Sequence, residues 1–354
     1  GFGPKVHTIV GGLYQRGHAA QGGGFGYVNA LSRFIKAYPD KVKVFTDTQA
    51  VSLIKDEQGR VIGVEGKNDG KTVKFFASKG VIIATGGFGS NVDFRQAKNT
   101  GVWKEVKLDK DIPCTNNFKA SQGDGLKLAE QVGANIIDLD DIQLHPGGTP
   151  KTGIMSSWPS GRNRIFLTPQ GDRFVNEDAA RDTLCKAIFK EGGKYWIVSN
   201  HVKYPSLDYQ SKNLTIGEMI KLGQAFSGNT VEELASKTGM DPKKLKAAIQ
   251  SYNDAVTGKV KEDSFGFKKS TKDDQPMTEG PYYATPMVPA VHHTMGGIQI
   301  NTNAQVLDKN GKVIPGLFAA GEVTGGVHGS NRVGGNGIAD AMVYGRISGQ
   351  SALK

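Results

Sequence analysis

Between Val291 and Gly335 the chain reads VHHTMGGIQINTNAQVLDKNGKVIPGLFAAGEVTGGVHGSNRVGG, which gathers His292, His293, Glu322 and Arg332 into one glycine-dense stretch. An arginine sets two N–H groups against the two oxygens of a carboxylate and a histidine adds a further donor, so Arg332 and His292 have the chemistry of an acid anchor. Glycine at this density lets backbone N–H groups approach a ligand closely, because no Cβ intervenes and φ above zero is open. A flat or anionic ligand suits such a surface. The pattern predicts turns and short strands, including an apolar strand from Gly316 to Ala320 that runs into Gly321 and Glu322. A carboxylate just past a buried strand is where α/β proteins place groups that grip ligand hydroxyls. NRVGGNGIADAMVYGRISGQSA then opens a helix with its first turn at Asn336 to Ala339, whose N–H groups and positive dipole end face the same place as Arg332. The plainer alternative is a glycine-rich surface loop before an ordinary helix.

The elements that must position these residues can be followed along the chain. Residues 1 to 26 are glycine-rich, no β-type run precedes Gly22 to Gly26, and apolar spacing from Tyr27 predicts a helix of about 13 residues. VKVFTDTQAVSLIKDEQGRVIGVEGKNDGKTVKFFASKGVIIATGG is the clearest β stretch, three or four strands separated by the hairpin-type turns DEQGR and KNDGK. Its last run, Gly80 to Thr85, is continuously apolar and ends in glycines, as a buried parallel strand leading to a ligand does. SQGDGLKLAEQVGANIID predicts a turn and a helix capped by Asp124. From Asp138 the character changes to turns and short strands, then a helix over Glu177 to Lys190, the strand YWIVSN, and three helices with Thr or Asp caps and Gly ends. No internal repeat or low-complexity linker interrupts this order.

Composition narrows the classes. The 354 residues are enough for two cores, and the formal net charge of +10 is spread along the whole chain. Such a spread favours anionic small molecules or an acidic partner over a nucleic-acid stripe, with a merely solvated lysine-rich surface as the plainer alternative, and no RNP, helix-turn-helix or zinc-finger pattern is present. Cys114 and Cys185 stand far apart without a CxxC or CxxCH pattern, so no disulfide framework, metal site or c-type haem attachment is predicted, and Cys185 falls in an apolar helical pattern as a core thiol. No apolar run reaches about 18 residues, so no membrane span is expected.

HHTMGG followed by AAGEVTGGVHGSNRVGGNGI resembles the C-terminal signature of the fumarate reductase and succinate dehydrogenase flavoprotein family, with soluble flavocytochrome c type fumarate reductases and related urocanate, acrylate and cinnamate reductases nearest in pattern. The resemblance covers nearly the whole chain. It implies an α/β fold with an α+β cap, in which a Rossmann-like FAD-binding domain is interrupted by an inserted capping domain. The implied segments are 1–141 for the first part of the FAD-binding domain, 142–290 for the capping domain and 291–354 for the C-terminal part. A strand–GxGxxG–helix with an acidic residue about 20 further on is missing, and GFGPKVHTIV has neither an initiator Met nor a signal-peptide pattern. The expectation is therefore a first FAD-binding segment upstream of Gly1.

By resemblance the cofactor is FAD, with hydride transfer between flavin N5 and a carbon–carbon bond beside a carboxylate. The flavin neighbours carried over are Thr85, Gly86 and Gly87 of ATGGF, Glu322, Asn336, Gly337 and Ile338, with Ala50 as a backbone contact on the adenine side. His293 contributes through its backbone, and Asp124 is both a helix cap and a cofactor neighbour. Arg16 and His18 of YQRGHAAQ fall where family members often carry basic residues near the flavin.

For the substrate, the resemblance singles out His145, Arg181, His292 and Arg332. His292 and Arg332 anchor the acid with backbone help at Gly335, His145 takes its far end, and Arg181 is the proton donor. A free arginine is a poor acid, so it must be held close to the substrate and reprotonated quickly, with Glu177, Asp178 or Asp182 as candidates to orient it. The plainer alternatives are a helix-surface arginine for Arg181 and a structural loop histidine for His145. In MSSWPSGRNRIF the sequence departs from the family: Ser156 or Ser157 can replace a substrate-binding Thr hydroxyl, but the Glu and Arg of the family's proton relay are absent, and no acidic residue lies between Asp141 and Asp172. Arg162 or Arg164 is the available substitute. Trp158 points to a bulkier or less charged acid than fumarate, and the missing carboxylate argues against urocanate.

The implied function is an FAD-dependent reductase of the C=C bond of an unsaturated carboxylate. One alternative is the oxidising direction on a saturated dicarboxylate or amino acid; another is a non-catalytic flavin electron-transfer subunit. Electrons must come from a haem or FMN domain or a separate carrier, since nothing in the sequence holds NAD or haem. A periplasmic or envelope location follows only by analogy.

Overall fold

The computed structural model describes every residue except 1, 9–14, 116–119, 156–162, 212–213 and 270–272. By contacts the chain forms two compact units, one of Gly1–Gly87, Gly123–Leu139 and Met295–Lys354, the other of Phe88–Gln122 and Asp140–Thr294. Residues 88–122 and 291–294 thus group with the second unit.

The first unit opens with the antiparallel pair β1 (Phe2–Thr8) and β2 (Gln15–Ala20), followed by α1 (Gly23–Ala37). A strand therefore does precede Gly22 to Gly26, which corrects the expectation from composition; a partner strand holds 15–20 extended where local sequence signals only a loop. Next comes the antiparallel meander β3 (Thr48–Lys55), β4 (Val61–Asn68) and β5 (Lys71–Phe76). Its first turn is closed by Asp56, whose Oδ1 accepts from the N–H groups of Gln58 and Arg60 at 3.0 and 2.9 Å. Its second is the pair Asp69 and Gly70, both at positive φ as a two-residue hairpin requires. The short β6 (Val81–Ile83) ends the run.

The chain then supplies α2 (Val92–Ala97), capped by Asn91, to the second unit, and returns to the first for α3 (Asp124–Glu130) and β7 (Ile136–Ile137). The rest of the second unit follows as β8 (Ile142–Gly148), β9 (Arg164–Leu167), α4 (Arg181–Lys190) and β10 (Tyr195–Asn200). After these come β11 (Gln210–Ser211), β12 (Leu214–Thr215), α5 (Ile216–Lys221) and β13 (Phe226–Gly228). The last three elements are α6 (Val231–Thr238), α7 (Pro242–Thr257) and the 13-residue β14 (Tyr282–Thr294). An antiparallel sheet runs β13-β14-β10-β9, with β8 pairing the far end of β14. Leu245, Ile249, Tyr252 and Val256 form one face of α7 and bury against Ile165 and Leu167 of β9 and Val198 of β10. The caps read from sequence are present: Thr215, Thr230 and Asp241 accept from first-turn N–H groups, and Gly239 and Gly258 close α6 and α7 in the left-handed region. The helix expected from Glu177 starts only at Arg181, because the Glu177 side chain is committed to β9 and Arg173.

The first unit is completed by β15 (Gly297–Gln299), β16 (Gln305–Leu307), β17 (Val313–Ala319), a 3-10 turn Gly321–Val323, β18 (Thr324–Gly325) and α8 (Asn336–Leu353). β17 lies parallel to β6, with Ala319 opposite Ile83, so the carboxyl ends of the two strands lie side by side.

Candidate active site

His145 on β8 and His292 on β14 stand with ring centroids 5.0 Å apart and planes tilted by 51°. Regular pairing does not produce this. Val291 pairs with Leu144 and His293 with Gln143, which leaves His292 as the extra residue of a bulge. A second irregularity lies between the His145–Ala290 and Gly148–Val288 pairs, at Pro146 and Gly147. Bulges kink a strand and re-aim a side chain. The segment VHHT, expected among turns and short strands, is thus the end of one long strand whose backbone is satisfied by β8 on one side and by residues 113–115 on the other. The Gly147 N–H donates to His145 Nδ1 at 3.0 Å, so the neutral ring carries its proton on Nε2. Thr115 Oγ1 lies 2.7 Å from His292 Nδ1. In both rings Nδ1 is engaged, by the Gly147 N–H in His145 and by the Thr115 hydroxyl in His292.

Arg181 is the first residue of α4, and its Nη1 lies 3.4 Å from Oε1 of the buried Gln143. Burial lowers the Arg181 pKa from its ordinary value, with Cys185 acting in the opposite sense. A cation at the positive end of a helix is disfavoured in the same direction as burial. Glu177, a candidate to orient Arg181, instead accepts from Arg173 Nε and Nη2 at 3.0 and 2.7 Å and from the Phe166 N–H at 3.0 Å. Asp178 accepts from Arg164 Nη2 at 3.2 Å, and Arg164 also donates to the Glu177 carbonyl at 2.7 Å. Gln143 was missed because residues 138–148 read as turns and short pieces. Had 142–148 been taken as a strand, Gln143 and His145 would share a face by alternation. Cys185 is fully buried and its thiol is pushed up by desolvation, a core group as expected.

In the first unit, Thr85 is exposed beyond the end of β6, Gly86 takes φ 76, and the Ala320 N–H donates to the Ile83 carbonyl at 3.1 Å. A Cβ on Gly125 would stand 2.1 Å from Thr85 Oγ1, so only glycine lets the start of α3 come so near. The cap of α3 is Gly123, at φ 77 with no side-chain bond, and Asp124 is the first helical residue; the capping role expected of Asp124 is corrected accordingly. α8 likewise starts after Gly335 at φ 87 with no side-chain cap. Glu322 is half-buried in the 3-10 turn after β17, Ala50 is half-buried on β3 opposite Gly66, and exposed Asn336 and Ile338 flank Gly337 in the first turn of α8. Arg332 is half-buried before that helix, its Nη1 3.4 Å from the Val333 carbonyl. His328, which no motif singled out, has Nε2 3.4 Å from Asp340 Oδ2 and ties the glycine-rich loop to α8.

The second unit therefore brings together His145, His292, Arg181 and the buried His293, while Arg332, Glu322, Asp124, Thr85, Gly86, Gly87, Ala50 and Asn336 to Ile338 belong to the first. Ser156 and Ser157, with Trp158 and Arg162, lie outside the described residues. No cluster of three metal-ligating side chains occurs among the described residues, and none of their helices is long and apolar enough to cross a membrane.

Adjacent carboxyl ends of parallel strands, helices opened by glycines without side-chain caps, and a separate polar cluster with a buried histidine and a desolvated arginine define an α/β cofactor-binding protein. Residues 6–338 match the sequence family described as FAD binding domain, and the chain belongs to that family. It is 38% identical over 356 residues to an NADH:acrylate oxidoreductase of Vibrio harveyi, covering 98% of this chain and 34% of that protein. It is 38% identical over 314 residues to a probable fumarate reductase of Shewanella frigidimarina, covering 87% of this chain and 50% of that one. Among solved structures, the open conformation of a flavocytochrome c3 fumarate reductase matches with a TM-score of 0.76 at 33% identity, over 98% of this chain and 59% of that chain. The chain thus spans between a third and three-fifths of the length of these relatives. The cofactor of the family is FAD, and the exposed strand end at Thr85 and the two glycine-opened helix starts fit a group with a flat ring system and a pyrophosphate.

Proposed function

We propose that this chain is the flavin-bearing catalytic part of a reductase that acts on the C=C bond of an α,β-unsaturated carboxylate, a fumarate-like 2-enoate. The observation that carries the reading is Arg181, desolvated and hydrogen-bonded to Gln143, which shares a strand face with His145, whose ring stands 5.0 Å from that of the bulge residue His292. In this reading Ala50, Thr85, Gly86, Gly87, Asp124, Glu322 and Asn336 to Ile338 hold FAD, and His293 keeps its cofactor role from the motif alone. FAD, when bound and reduced by two electrons, would supply the hydride for the β-carbon. His145 and His292 donate from Nε2 to the acid, and Arg332 is a further carboxylate anchor by its place in GSNRVGG. Arg181 delivers the proton to the α-carbon. Its lowered pKa shortens the gap between arginine and the carbon it protonates, which a solvent-exposed guanidinium would not. The relatives' names point to acrylate and fumarate, and the lack of acidic residues over 142–171 leaves the donor of the replacement proton to groups other than a Glu of that loop. Electrons reach the flavin from a haem or FMN domain or a separate carrier.

The test is anaerobic oxidation of chemically reduced full-length holoprotein, followed at the flavin absorbance, with fumarate, acrylate, methacrylate, cinnamate and urocanate. Rapid reoxidation by one of these acids is the expected result and names the substrate. Reoxidation by none of them would remove the enoate reductase reading.

A further inference from the structure

Thr115 lies on a loop that contributes no residue to the proposed reaction, yet the loop is built against β14. The Thr115 N–H donates to the Val291 carbonyl at 2.8 Å, the Val291 N–H donates to the Pro113 carbonyl at 2.9 Å, and Cys114 forms a parallel bridge with Val291. Behind the loop, Arg95 is 1% exposed and donates to the carbonyls of Gly89, Leu108, Asp109 and Ile112. A guanidinium whose planar fork meets four carbonyls fixes backbone geometry rather than neutralising an acid. The register of 113–115 is therefore set by β14, and the chain leading into it is pinned at Ile112 by Arg95.

Against this frame stands the His292 ring. His292 is the extra residue of a bulge, so cross-strand neighbours do not determine the direction of its side chain as they do in a regular ladder. Thr115 Oγ1 meets its Nδ1 at 2.7 Å. A hydroxyl can rotate, donating to Nδ1 when the imidazole proton is on Nε2 and accepting when Nδ1 is protonated, so one threonine serves both charge states of the ring. We infer that Thr115 is a positioning residue for His292: it occupies Nδ1, fixes the ring plane and turns Nε2 toward the substrate carboxylate. The inference rests on the proposed role of His292 as an acid anchor.

The experiment compares wild type, Thr115→Val and Thr115→Ser in full-length holoprotein labelled with 15N-histidine, the His292 signals being assigned by their loss in His292→Asn. Valine keeps the β-branched shape and removes the hydroxyl; serine restores it. Thr115→Val is expected to shift the His292 imidazole 15N signals and to raise KM for the enoate about tenfold with kcat within about threefold, as loss of one hydrogen bond to a binding group does. Thr115→Ser is expected to return both to wild type. Unchanged 15N signals and unchanged KM in Thr115→Val, with near-wild-type folding by circular dichroism, would overturn the inference. If wild type turns over no enoate, the proposed reaction fails, while the 15N comparison of the same proteins still decides whether Thr115 holds His292.

Discussion

Oε1 of Gln143 lies 3.4 Å from Nη1 of Arg181, and this link joins the strand that carries His145 to the helix that starts at Arg181. A neutral amide in that place orients a guanidinium without raising its pKa as a carboxylate would. Gln143→Leu should lower kcat about tenfold with little change in KM, because it frees the proposed proton donor and leaves the proposed acid anchors in place. Steady-state kinetics with the best acid of the panel gives the answer; equal losses in kcat and in substrate affinity would assign Gln143 to binding instead.

Gly125 separates α3 from the exposed end of β6, where an added Cβ would stand 2.1 Å from Thr85 Oγ1 and 2.8 Å from Ile83 Cγ2. Gly125→Ala must push α3 away from Thr85 and should weaken flavin binding by about tenfold or more, since overpacking of this kind costs about 1–3 kcal/mol. Titration of the apoprotein with FAD, read by flavin fluorescence quenching, measures it. Wild-type affinity would dissociate Thr85 and α3 from the cofactor.

Glu177 is the centre of a buried network: it accepts from Arg173 and from the Phe166 N–H, and Arg173 also pairs with Asp263. Although burial alone would lower it, the Arg173 pKa is raised by Glu177 and Asp263. A raised folded-state pKa stabilises the fold below the unfolded value and loses that contribution only as pH climbs through the folded one, here beyond the working range of the protein. Glu177→Gln should therefore cost about 3 kcal/mol or more in denaturant unfolding, by nearly the same amount at pH 6 and pH 9. A loss below 1 kcal/mol would mean that Asp263 alone satisfies Arg173.

Lys203, half-buried on the turn after β10, has its pKa pushed down to about 7, mainly by desolvation and then by Arg164. An ordinary lysine in the unfolded chain holds its proton to about 10.4, so between these values the unfolded state binds more protons and stability rises with pH. The cost of the buried charge is full below pH 7 and gone near pH 10.4. Lys203→Met is expected to stabilise the protein by roughly 2 kcal/mol at pH 6 and hardly at all at pH 10.5, where the folded protein already holds the amine neutral. Equal thermal shifts at the two pH values would contradict the assignment.

Much of this architecture is legible because its signals are local. Thr230 and Asp241 cap helices through bonds spanning two or three residues, and Gly239 and Gly258 end them by the conformations that only glycine adopts readily. The residues that finish the site are not local. Pro286 and Pro289 interrupt the β signal of 282–294, and it is pairing with β8 and β10 that makes one strand of it and leaves His292 in a bulge. Thr115 and His292 are 177 residues apart, and no spacing rule links them. Asp124 shows the converse: its place at a helix start suggested a cap, and the left-handed Gly123 before it took that position.

The proposed role of Arg181 is to protonate the substrate carbon. Its most direct test is stopped-flow reoxidation of anaerobically reduced Arg181→Lys and wild-type holoprotein by the acid that reoxidises the wild type fastest. Loss of at least about a hundredfold in the reoxidation rate, with FAD still bound and the acid's dissociation constant unchanged, is the predicted result. Reoxidation of Arg181→Lys at the wild-type rate would show that the proton comes from another group.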